Sequence, residues 1–487
     1  MSALADWFRG LPERHGRRTL IALGLIALVG LAARAYVVAD PVDHPADDSR
    51  AYYALSKALY EEGSYGGPEF EDASDWSPGA PLLYAASFYA TGGAREGTAR
   101  IVEALCGLAA IFVVYLLGRR LAAAVRRRDG GDEREAWRSP TAVAVGLFAA
   151  AAVAVYPPFI HSTGELMSEP PAILTLPAAV LAFLWASDRE RPWWSWLVPG
   201  LLFGLTAMFR PEYLAVGVVF ALFSFIVSCR FLPYGERKRQ LGEWRWGAGV
   251  RATGVVLVGM AVVVAPWTIR NQVVLDRTVP ISTGGGKALY VGTYLPADGE
   301  YQRVKALLAE RYLDRDLEPG SEQLDAVDPK PLFDRVADRY PDLPRDQALG
   351  KIGKQNFYDY LEEDPVGYLG MTVRKVWRMW SAGIGEAMSS TAGRVVQVLL
   401  VLLAIAGLAV LGVRRRWWDL VAMATPLILV TAVGAASLAA PRRNEVLMTL
   451  VFPLAAAALA RAGGALSSSS RWRPTDSSPQ QASSPPS

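Results

Sequence analysis

Residues 20–59 read LIALGLIALVGLAARAYVVADPVDHPADDSRAYYALSKAL, and they join a membrane-length apolar run to an acidic segment. The run at 20–39 is long enough to cross the roughly 30 Å hydrocarbon core of a bilayer as a helix. The segment that follows places two adjacent acids, Asp47 and Asp48, just where this helix leaves the lipid. We therefore expect a membrane protein with a polar feature at the end of its first helix.

Similar apolar runs recur along the chain. Of its 487 residues, 52% are hydrophobic and 20% are charged, and the mean hydropathy is +0.20. These values exclude an ordinary soluble domain, because the apolar residues form long blocks and not amphipathic stripes. The sequence predicts an all-α polytopic membrane protein with about ten transmembrane helices. The blocks are 20–39, 101–118, 140–157, 170–187, 193–209, 211–229, 252–267, 395–413, 417–440 and 445–460.

Basic clusters indicate how the helices are oriented, because cationic loops resist translocation. Five clusters fall in connections on one side of the membrane, which we therefore expect to be cytoplasmic. The opposite, extracytoplasmic side then carries the acids of the first loop. The clusters are Arg14, Arg17 and Arg18; Arg119, Arg120 and Arg126 to Arg128; Arg189 and Arg191; Arg237, Lys238 and Arg239; and Arg414 to Arg416.

This topology divides the chain into five segments. The segment 268–394 mixes charge, aromatics and helix-like runs, and it is long enough for a small folded domain of mixed character. The Ser/Pro-rich C-terminal tail is too polar to fold. Cys106 and Cys229 fall in predicted helices, so no disulfide framework is expected. The segments are a cytoplasmic N-terminus at 1–19, a transmembrane catalytic module at 20–267 with the large first outer loop 40–98, an extracytoplasmic domain at 268–394, C-terminal transmembrane helices at 395–462 and a disordered cytoplasmic tail at 463–487.

Each acid on the predicted outer side has two interpretations. Asp47 and Asp48 precede a helix-like run, so they can cap that helix or belong to a site. Glu169, in HSTGELMSEPPAIL, begins the fourth apolar block just before Pro170 and Pro171. An acid there stabilises the helix dipole or takes part in a site. These residues alone leave both interpretations open.

Cations are numerous on the same side. Arg34 lies about six residues inside the outer end of the first helix, about 9 Å deep, where it can line a site or snorkel to the surface. Taken singly, each of the other cations fits an interfacial charge. Together with the acid pair, they indicate a phosphate-bearing lipid as ligand. These cations are Arg100, Arg210, Arg270, Lys287, Arg442 and Arg443.

Several stretches carry a resemblance to a known family. They are DDSRAYYALSKALYEEGSY at 47–65, WSPGAPLLYAASFYATGGAREGTARIVEALCGLAAIFVVYLLGRRL at 76–121, ELMSEP at 165–170, APWTIRNQVVLDRTVPISTGGGKALYVGTY at 265–294 and YLEEDPVGYLGMTVRKVWRMW at 360–380. Their order, with an arginine late in the first helix, resembles the GT-C glycosyltransferases of the protein O-mannosyltransferase and lipid A aminoarabinose transferase type, similar to glycosyltransferase family 39. The resemblance covers most of 20–460.

The resemblance implies a GT-C fold and an enzyme of the cell inner (plasma) membrane, with its site on the outer face. Such an enzyme transfers a hexosyl or pentosyl group from a polyprenyl-phosphate donor to an envelope acceptor. The resemblance also implies that Asp48 is the catalytic base, with Asp47 beside it and Glu169 as a further acid. The sequence departs from the family pattern at PRRNEVLMTLVFP, residues 441–453. The cations assigned to the donor phosphate are Arg34, Arg100, Arg210, Arg270, Lys287, Arg442 and Arg443.

The chemistry of such a transfer fits these residue types. An acceptor hydroxyl or amine loses a proton as it attacks the anomeric carbon, and a carboxylate within reach can accept it. The departing polyprenyl phosphate is an anion that cations stabilise. We expect no cofactor. His44, Asp47, Asp48, His161 and Glu169 offer ligands for a divalent ion, but no close ligand spacing occurs among them.

One glycine run needs a separate interpretation. STGGGKALYVG at 282–292 lacks the spacing of a nucleotide-binding P-loop, so its glycines are expected to permit a tight turn.

Two other classes of protein compete with the transferase. A transporter or flippase of lipid-linked sugar or another solute would need ionisable groups near the bilayer midplane, whereas the notable charges here cluster at the outer boundary. A scaffold with an outer binding domain would leave Arg34 and the acidic loop unexplained. We therefore favour the transferase. Its expected partners are a polyprenyl-phosphate-linked sugar, an acceptor that is a protein, lipid or glycan, and membrane lipid, without nucleic acid.

Overall fold

The chain folds almost wholly into helices. A computed structural model describes residues 16–41, 47–66, 73–126, 133–188, 191–229 and 246–469. Within these ranges the regular structure consists of α-helices and short 3₁₀ turns, without a strand. Of the predicted termini, 1–19 and 463–487, residues 1–15 and 470–487 lie outside the described residues. The α-helices are α1 (Arg17–Ala39), α2 (Asp47–Glu61), α3 (Gly79–Thr91), α4 (Glu96–Arg126), α5 (Glu133–Arg138), α6 (Pro140–Val155), α7 (Pro157–His161), α8 (Glu169–Ala186), α9 (Leu197–Phe209), α10 (Tyr213–Cys229), α11 (Trp246–Leu275), α12 (Gly285–Thr293), α13 (Tyr301–Leu313), α14 (Glu322–Asp325), α15 (Pro329–Ala337), α16 (Arg345–Glu363), α17 (Pro365–Ser381), α18 (Glu386–Ser389), α19 (Thr391–Val413), α20 (Trp417–Ala436) and α21 (Arg442–Ser469).

Every predicted apolar block forms a helix. Within the described ranges, seven helices are long and apolar enough to cross a membrane: α1, α4, α8, α11, α19, α20 and α21. An eighth candidate is the bent pair of α6 and the short segment that follows it. Two predicted blocks form shorter apolar helices, Trp193–Phe209 and Tyr213–Cys229. The prediction of an all-α polytopic membrane protein is confirmed.

The bend after α6 follows from two consecutive prolines. Tyr156 precedes Pro157 and Pro158, and a residue before proline is pushed out of the helical region. Its ψ is accordingly 117°, and the two helical parts meet at 54°. The bend leads the chain through a 3₁₀ turn, Ser162–Gly164, to the start of α8.

Small residues let the central helices approach closely. A Cβ added at Gly118 of α4 would lie 3.1 Å from the Cα of Gly146 in α6, and one added at Gly146 would lie 2.8 Å from a carbonyl oxygen of α4. Close backbone approach is how helices associate in lipid, where apolar side chains gain little by leaving it. Phe183, Phe203 and Phe220 are fully buried and pack together between α8, α9 and α10.

A smaller helical unit precedes α19. Helices α12 to α16 enclose a core of their own that includes Tyr290, Phe333 and Leu349. The described structure of the predicted domain 268–394 is therefore helical, and α11 extends into it as far as Leu275.

The glycine run begins a helix and does not form the predicted tight turn. Gly284 precedes α12 with a φ of −61°, and Gly285 and Gly286 are its first residues. A Cβ at Gly286 would lie 1.8 Å from the carbonyl oxygen of Asp346. This glycine is therefore needed for the close approach of α12 and α16.

The first loop and the helical unit lie at one end of the bundle. Arg345 of α16 pairs with Asp75 at 2.5 Å, and the amide of Thr283 donates to the carbonyl of Ser74 at 2.8 Å. At the same end α1, α6, α9 and α11 finish and α4, α8, α10 and α21 begin. We call it the site end.

Candidate active site

Arg442 is the centre of an ion-pair cluster at the site end. It follows Pro441 and begins α21, where the helix dipole is positive. Its Nη1 lies 2.5 Å from Asp48 Oδ2. Its Nε and Nη2 donate to the two carboxylate oxygens of Glu169, Nη2 at 3.2 Å. One arginine thus joins two acids that precede it by 394 and 273 residues in the sequence.

Glu169 is held on two sides. Its side chain is 1% exposed, and Arg210 Nη1 lies 2.6 Å from its Oε1. Ser168 Oγ donates to the other oxygen at 3.2 Å. Because Glu169 also begins α8, it lies where the dipole interpretation requires an acid. It is at the same time the link between the guanidinium groups of Arg210 and Arg442.

Arg210 and Glu212 extend the cluster through the connection between α9 and α10. Arg210 Nε donates to Glu212 Oε1 at 3.1 Å. Although burial alone would raise the pKa of Glu212, the charge of Arg210 lowers it to about 2. Arg443 faces the same carboxylate, and its Nη1 is buried with no hydrogen-bond acceptor among the described residues. The three arginines therefore face the carboxylates of Glu212, Asp48 and Glu169, and Arg210 and Arg442 also act on the buried Glu445 in the first turn of α21.

Asp48 is the most exposed acid of the cluster. Trp76 Nε1 donates to its Oδ1 at 3.2 Å, while Arg442 holds Oδ2. The side chain is 40% exposed. Its partial burial acts to raise the pKa, but the charge of Arg442, aided by Lys287, holds the pKa of Asp48 below its usual range. Asp48 is therefore a charged carboxylate that solvent reaches. Asp47 begins α2, but its side chain lies outside the described residues.

Arg34 lies apart from this cluster. Its side chain is fully buried and donates to the carbonyl of Gly30 at 3.0 Å. It also donates to the carbonyls of Ala154 at 3.3 Å and Val153 at 3.2 Å, in the last turn of α6. Carbonyls at a helix C-terminus lack partners within the helix, so a cation satisfies them well. The side chain neither snorkels to the surface nor contacts the clustered acids.

Three other predicted cations bind neighbouring structure. Arg100 donates to the carbonyl of Gly164 at 3.0 Å. Arg270 donates to the carbonyl of Tyr65 at 2.8 Å. Lys287 lies 5.8 Å from each of two aromatic rings, and its charge acts on the cluster from there. The structure thus gathers three of the seven predicted cations: Arg210, Arg442 and Arg443.

A buried group that the sequence analysis missed supports the loop before Glu169. Glu103 of α4 accepts a hydrogen bond from the amide of Met167 at 2.7 Å. The hydroxyl of Tyr84 contacts Glu103 Oε1 and lies 2.7 Å from the carbonyl oxygen of Met167. Met167 Sδ in turn lies 3.6 Å from Arg442 Nη2. We call Tyr84, Glu103 and Met167 the Met167 clamp. An acid inside an apolar block was the signal that marks it in the sequence.

Trp76 and Glu212 were also missed. Glu212 follows Arg210 by two residues, so the motif RPE was a usable signal. Trp76 had no such signal, because its partner Asp48 lies 28 residues earlier in the first loop.

The described residues contain no group of three or more His, Cys, Asp and Glu side chains that could hold a metal ion. His161, one of the predicted candidate ligands, lies 3.4 Å from Glu165 instead. His44 lies outside the described residues. The expectation that the protein needs no metal or other cofactor stays a prediction.

Comparison with known proteins identifies the fold. No protein-family model and no curated protein sequence matches the chain. Among solved structures, the oligosaccharyltransferase from Archaeoglobus fulgidus, tethered with an acceptor peptide containing the NVT sequon, matches 92% of this chain and 50% of its own length, with a TM-score of 0.51 at 13% identity. The chain has a GT-C fold. At this identity the likeness establishes the fold alone, and the chain spans about half the length of that enzyme.

Two further solved structures superpose less closely. The oligosaccharyltransferase AglB from Archaeoglobus fulgidus, in complex with an inhibitory peptide and a dolichol-phosphate, is 14% identical with a TM-score of 0.49, over 94% of this chain and 52% of its own. ArnT from Cupriavidus metallidurans, bound to undecaprenyl phosphate, is 15% identical with a TM-score of 0.36, over 92% and 79%. The GT-C fold predicted from the sequence motifs is confirmed.

Proposed function

We propose that the protein is an integral membrane glycosyltransferase that moves a hexosyl or pentosyl group from a polyprenyl-phosphate donor to an envelope acceptor, which is a protein, lipid or glycan. The observation that carries this proposal is the pairing of Arg442 with Asp48. A guanidinium suited to phosphate and a carboxylate that solvent reaches lie together at the site end. The GT-C fold supports the same class of enzyme.

Asp48 is the base of the proposed reaction. The acceptor oxygen or nitrogen forms a bond to the anomeric carbon while the bond from that carbon to the phosphate oxygen breaks. The electron pair of the breaking bond stays on the phosphate oxygen, and the acceptor proton passes to Asp48 Oδ2. A carboxylate with a lowered pKa is a weak base, so the ion pair with Arg442 has to loosen before transfer.

The clustered arginines hold the phosphate in this proposal. Arg442 and Arg443 lie in the first turn of α21, whose free amide groups and dipole also favour an anion. Arg210 adds a third positive charge through Glu169. These groups stabilise the charge that develops on the leaving polyprenyl phosphate. Because Glu169 is 1% exposed and paired twice, its role is to orient Arg442 and not to react.

We place the site on the extracytoplasmic side of the inner (plasma) membrane. Arg119 and Arg120 lie in the C-terminal part of α4, and the basic connection Arg414–Arg416 follows α19; both are directed toward the end opposite the site end. Short basic connections resist translocation, which favours the cytoplasm for that opposite end.

A transporter or flippase of a lipid-linked sugar is the alternative function. The observation that favours it is the presence of Arg34 and Glu103 inside helices long enough to span the membrane. Both side chains are, however, held by protein groups. Arg34 binds backbone carbonyls, and Glu103 binds the amide of Met167 and the hydroxyl of Tyr84. Neither side chain is therefore positioned to bind a lipid-linked sugar on a transport pathway through the protein.

Mass spectrometry of membrane lipids tests the proposal. Cells that lack the protein should accumulate one polyprenyl-phosphate sugar, and so should cells that carry only the Asp48→Asn form. Wild-type protein should clear it. Asp346→Asn is a matched control, because the carboxylate of Asp346 forms a bidentate ion pair with Arg277 and not with a clustered arginine, and this variant should also clear the lipid.

The outcomes separate the alternatives. Accumulation in the deletion alone, with Asp48→Asn protein present at wild-type level, would exclude Asp48 as the base. No accumulation in either strain would contradict a polyprenyl-phosphate sugar as donor.

A further inference from the structure

The hydrogen bonds of Arg442 raise a question about how a phosphate enters the cluster. Asp48 already accepts from its Nη1, and Glu169 accepts from its Nε and Nη2. A phosphate that binds this guanidinium competes with a carboxylate for the same donor and repels any carboxylate that stays beside it. One carboxylate must therefore give up its guanidinium when an anionic ligand binds.

Burial decides which carboxylate can leave. If Glu169 lost its guanidinium partner, its charge would be left unpaired and without water, because the side chain is 1% exposed. The same holds for Glu212, which is 11% exposed. Asp48 is 40% exposed, so water can solvate its carboxylate once Arg442 is lost. The Asp48–Arg442 pair is thus the one that can open at low cost.

The geometry of that pair suits an exchange of one anion for another. A carboxylate and a phosphate bind a guanidinium through the same kind of charge-assisted hydrogen bond. Arg442 Nη1 donates to Asp48 Oδ2, while the other two guanidinium nitrogens donate to Glu169. Nη1 is therefore the donor that becomes available to a ligand. The buried Nη1 of Arg443, in the same turn of α21, has no acceptor among the described residues and can serve the same anion.

We propose that Asp48 occupies the phosphate position of the donor site, and that the phosphate of a polyprenyl lipid displaces it from Arg442. This inference rests on the function proposed above. Displacement leaves Asp48 tethered by Trp76, which donates to Oδ1, so the freed Oδ2 is the oxygen that takes the acceptor proton. Donor binding thereby creates the base, and the acceptor is activated only after the donor is in place.

Binding of undecaprenyl phosphate without a sugar tests the exchange independently of catalysis. We would measure its affinity for purified protein in detergent by native mass spectrometry, with undecaprenol as the probe that lacks phosphate. In wild type, Asp48 competes with the phosphate for Arg442 through a partly exposed ion pair. If the strength of this pair lies at the upper end of the range for such pairs, removing Asp48 should tighten binding of undecaprenyl phosphate about fivefold. Asp48→Asn and Asp48→Ala should both bind undecaprenyl phosphate more tightly than wild type, with no change for undecaprenol. Asp346→Asn should match wild type.

A second substitution locates the effect at Arg442. Arg442→Gln should weaken binding of undecaprenyl phosphate, and Asp48→Asn added to it should have no further effect, because the shared guanidinium is gone. If Asp48→Asn and Asp48→Ala bind undecaprenyl phosphate no more tightly than wild type does, the exchange is overturned and the proposed function still stands. Equal binding of undecaprenyl phosphate and undecaprenol by wild type and all variants would instead overturn the proposed phosphate site itself.

Discussion

Replacing Tyr84 by phenylalanine tests whether the Met167 clamp holds the site together. The side chain of Tyr84 is fully buried, and its hydroxyl lies 2.7 Å from the carbonyl oxygen of Met167 and in contact with Glu103. Removing one partner of a buried hydrogen bond leaves the other group unsatisfied at a cost of about 1–3 kcal/mol, because water cannot replace the bond there. We therefore expect Tyr84→Phe to lower the free energy of unfolding by about 2 kcal/mol.

Tyr89→Phe is a matched control on the same helix. Tyr89 is 62% exposed, and its hydroxyl donates to the carbonyl of Leu59 at 3.1 Å. Water can take over this bond, so the change should stay within about 0.5 kcal/mol. Thermal unfolding followed by tryptophan fluorescence, in one detergent and at one scan rate, compares the variants even where unfolding is irreversible. For a chain of this length, Tyr84→Phe should lower the apparent Tm by about 2 °C and Tyr89→Phe by less than about 1 °C.

Equal Tm values for the two variants would refute the reasoning. The clamp also contacts Arg442 through the sulfur of Met167, so a displaced Met167 should disturb anion binding. Tyr84→Phe should therefore weaken binding of undecaprenyl phosphate, whereas Tyr89→Phe should leave it at the wild-type value.

Two further predictions concern a close backbone contact and an ion pair. Gly286→Ala should destabilise the protein by about 1–3 kcal/mol, because the new methyl group would meet the carbonyl of Asp346 at 1.8 Å. Gly285→Ala, with nothing within 4 Å of its Cβ, should be neutral or slightly stabilising, and equal Tm values would contradict the close approach. Glu212→Gln should lower Tm at pH 7, because Arg210 loses one of its two carboxylate partners. The deficit should shrink as the pH falls below the ordinary Glu value of 4.5 and vanish below about pH 2, where the wild-type carboxylate is protonated as well; a deficit that does not vary with pH would contradict the ion pair.

Part of the site could be predicted and part could not. Glu169, Arg210 and Arg442 were predicted because they border apolar blocks on the predicted outer side, and the structure brings these three together. The same rule selected Arg34, which the structure places on the carbonyls of α6. A helix pattern tells how deep an arginine lies, but not which neighbouring helix end it meets.

The Met167 clamp also shows that a sequence pattern does not tell which groups a buried side chain meets. Glu103 was visible as an acid within an apolar block, yet its purpose depends on Tyr84 and Met167, 19 and 64 residues away in the sequence. Gly286 resembles a turn residue in sequence, whereas the contact that requires it comes from Asp346 of another helix.

The sequence by itself determined that this chain is a helical membrane protein with its charges near the helix ends. Crossing lipid demands long apolar runs whose backbone groups are satisfied within each helix, and both conditions are local properties that a sequence displays. Only the tertiary structure decided which charges meet. Arg442 reaches Asp48 across 394 residues because the packing of the helices brings the start of α21 beside the first loop. Ion pairing depends on distances of a few ångströms and on burial, and neither quantity is set by position along the chain.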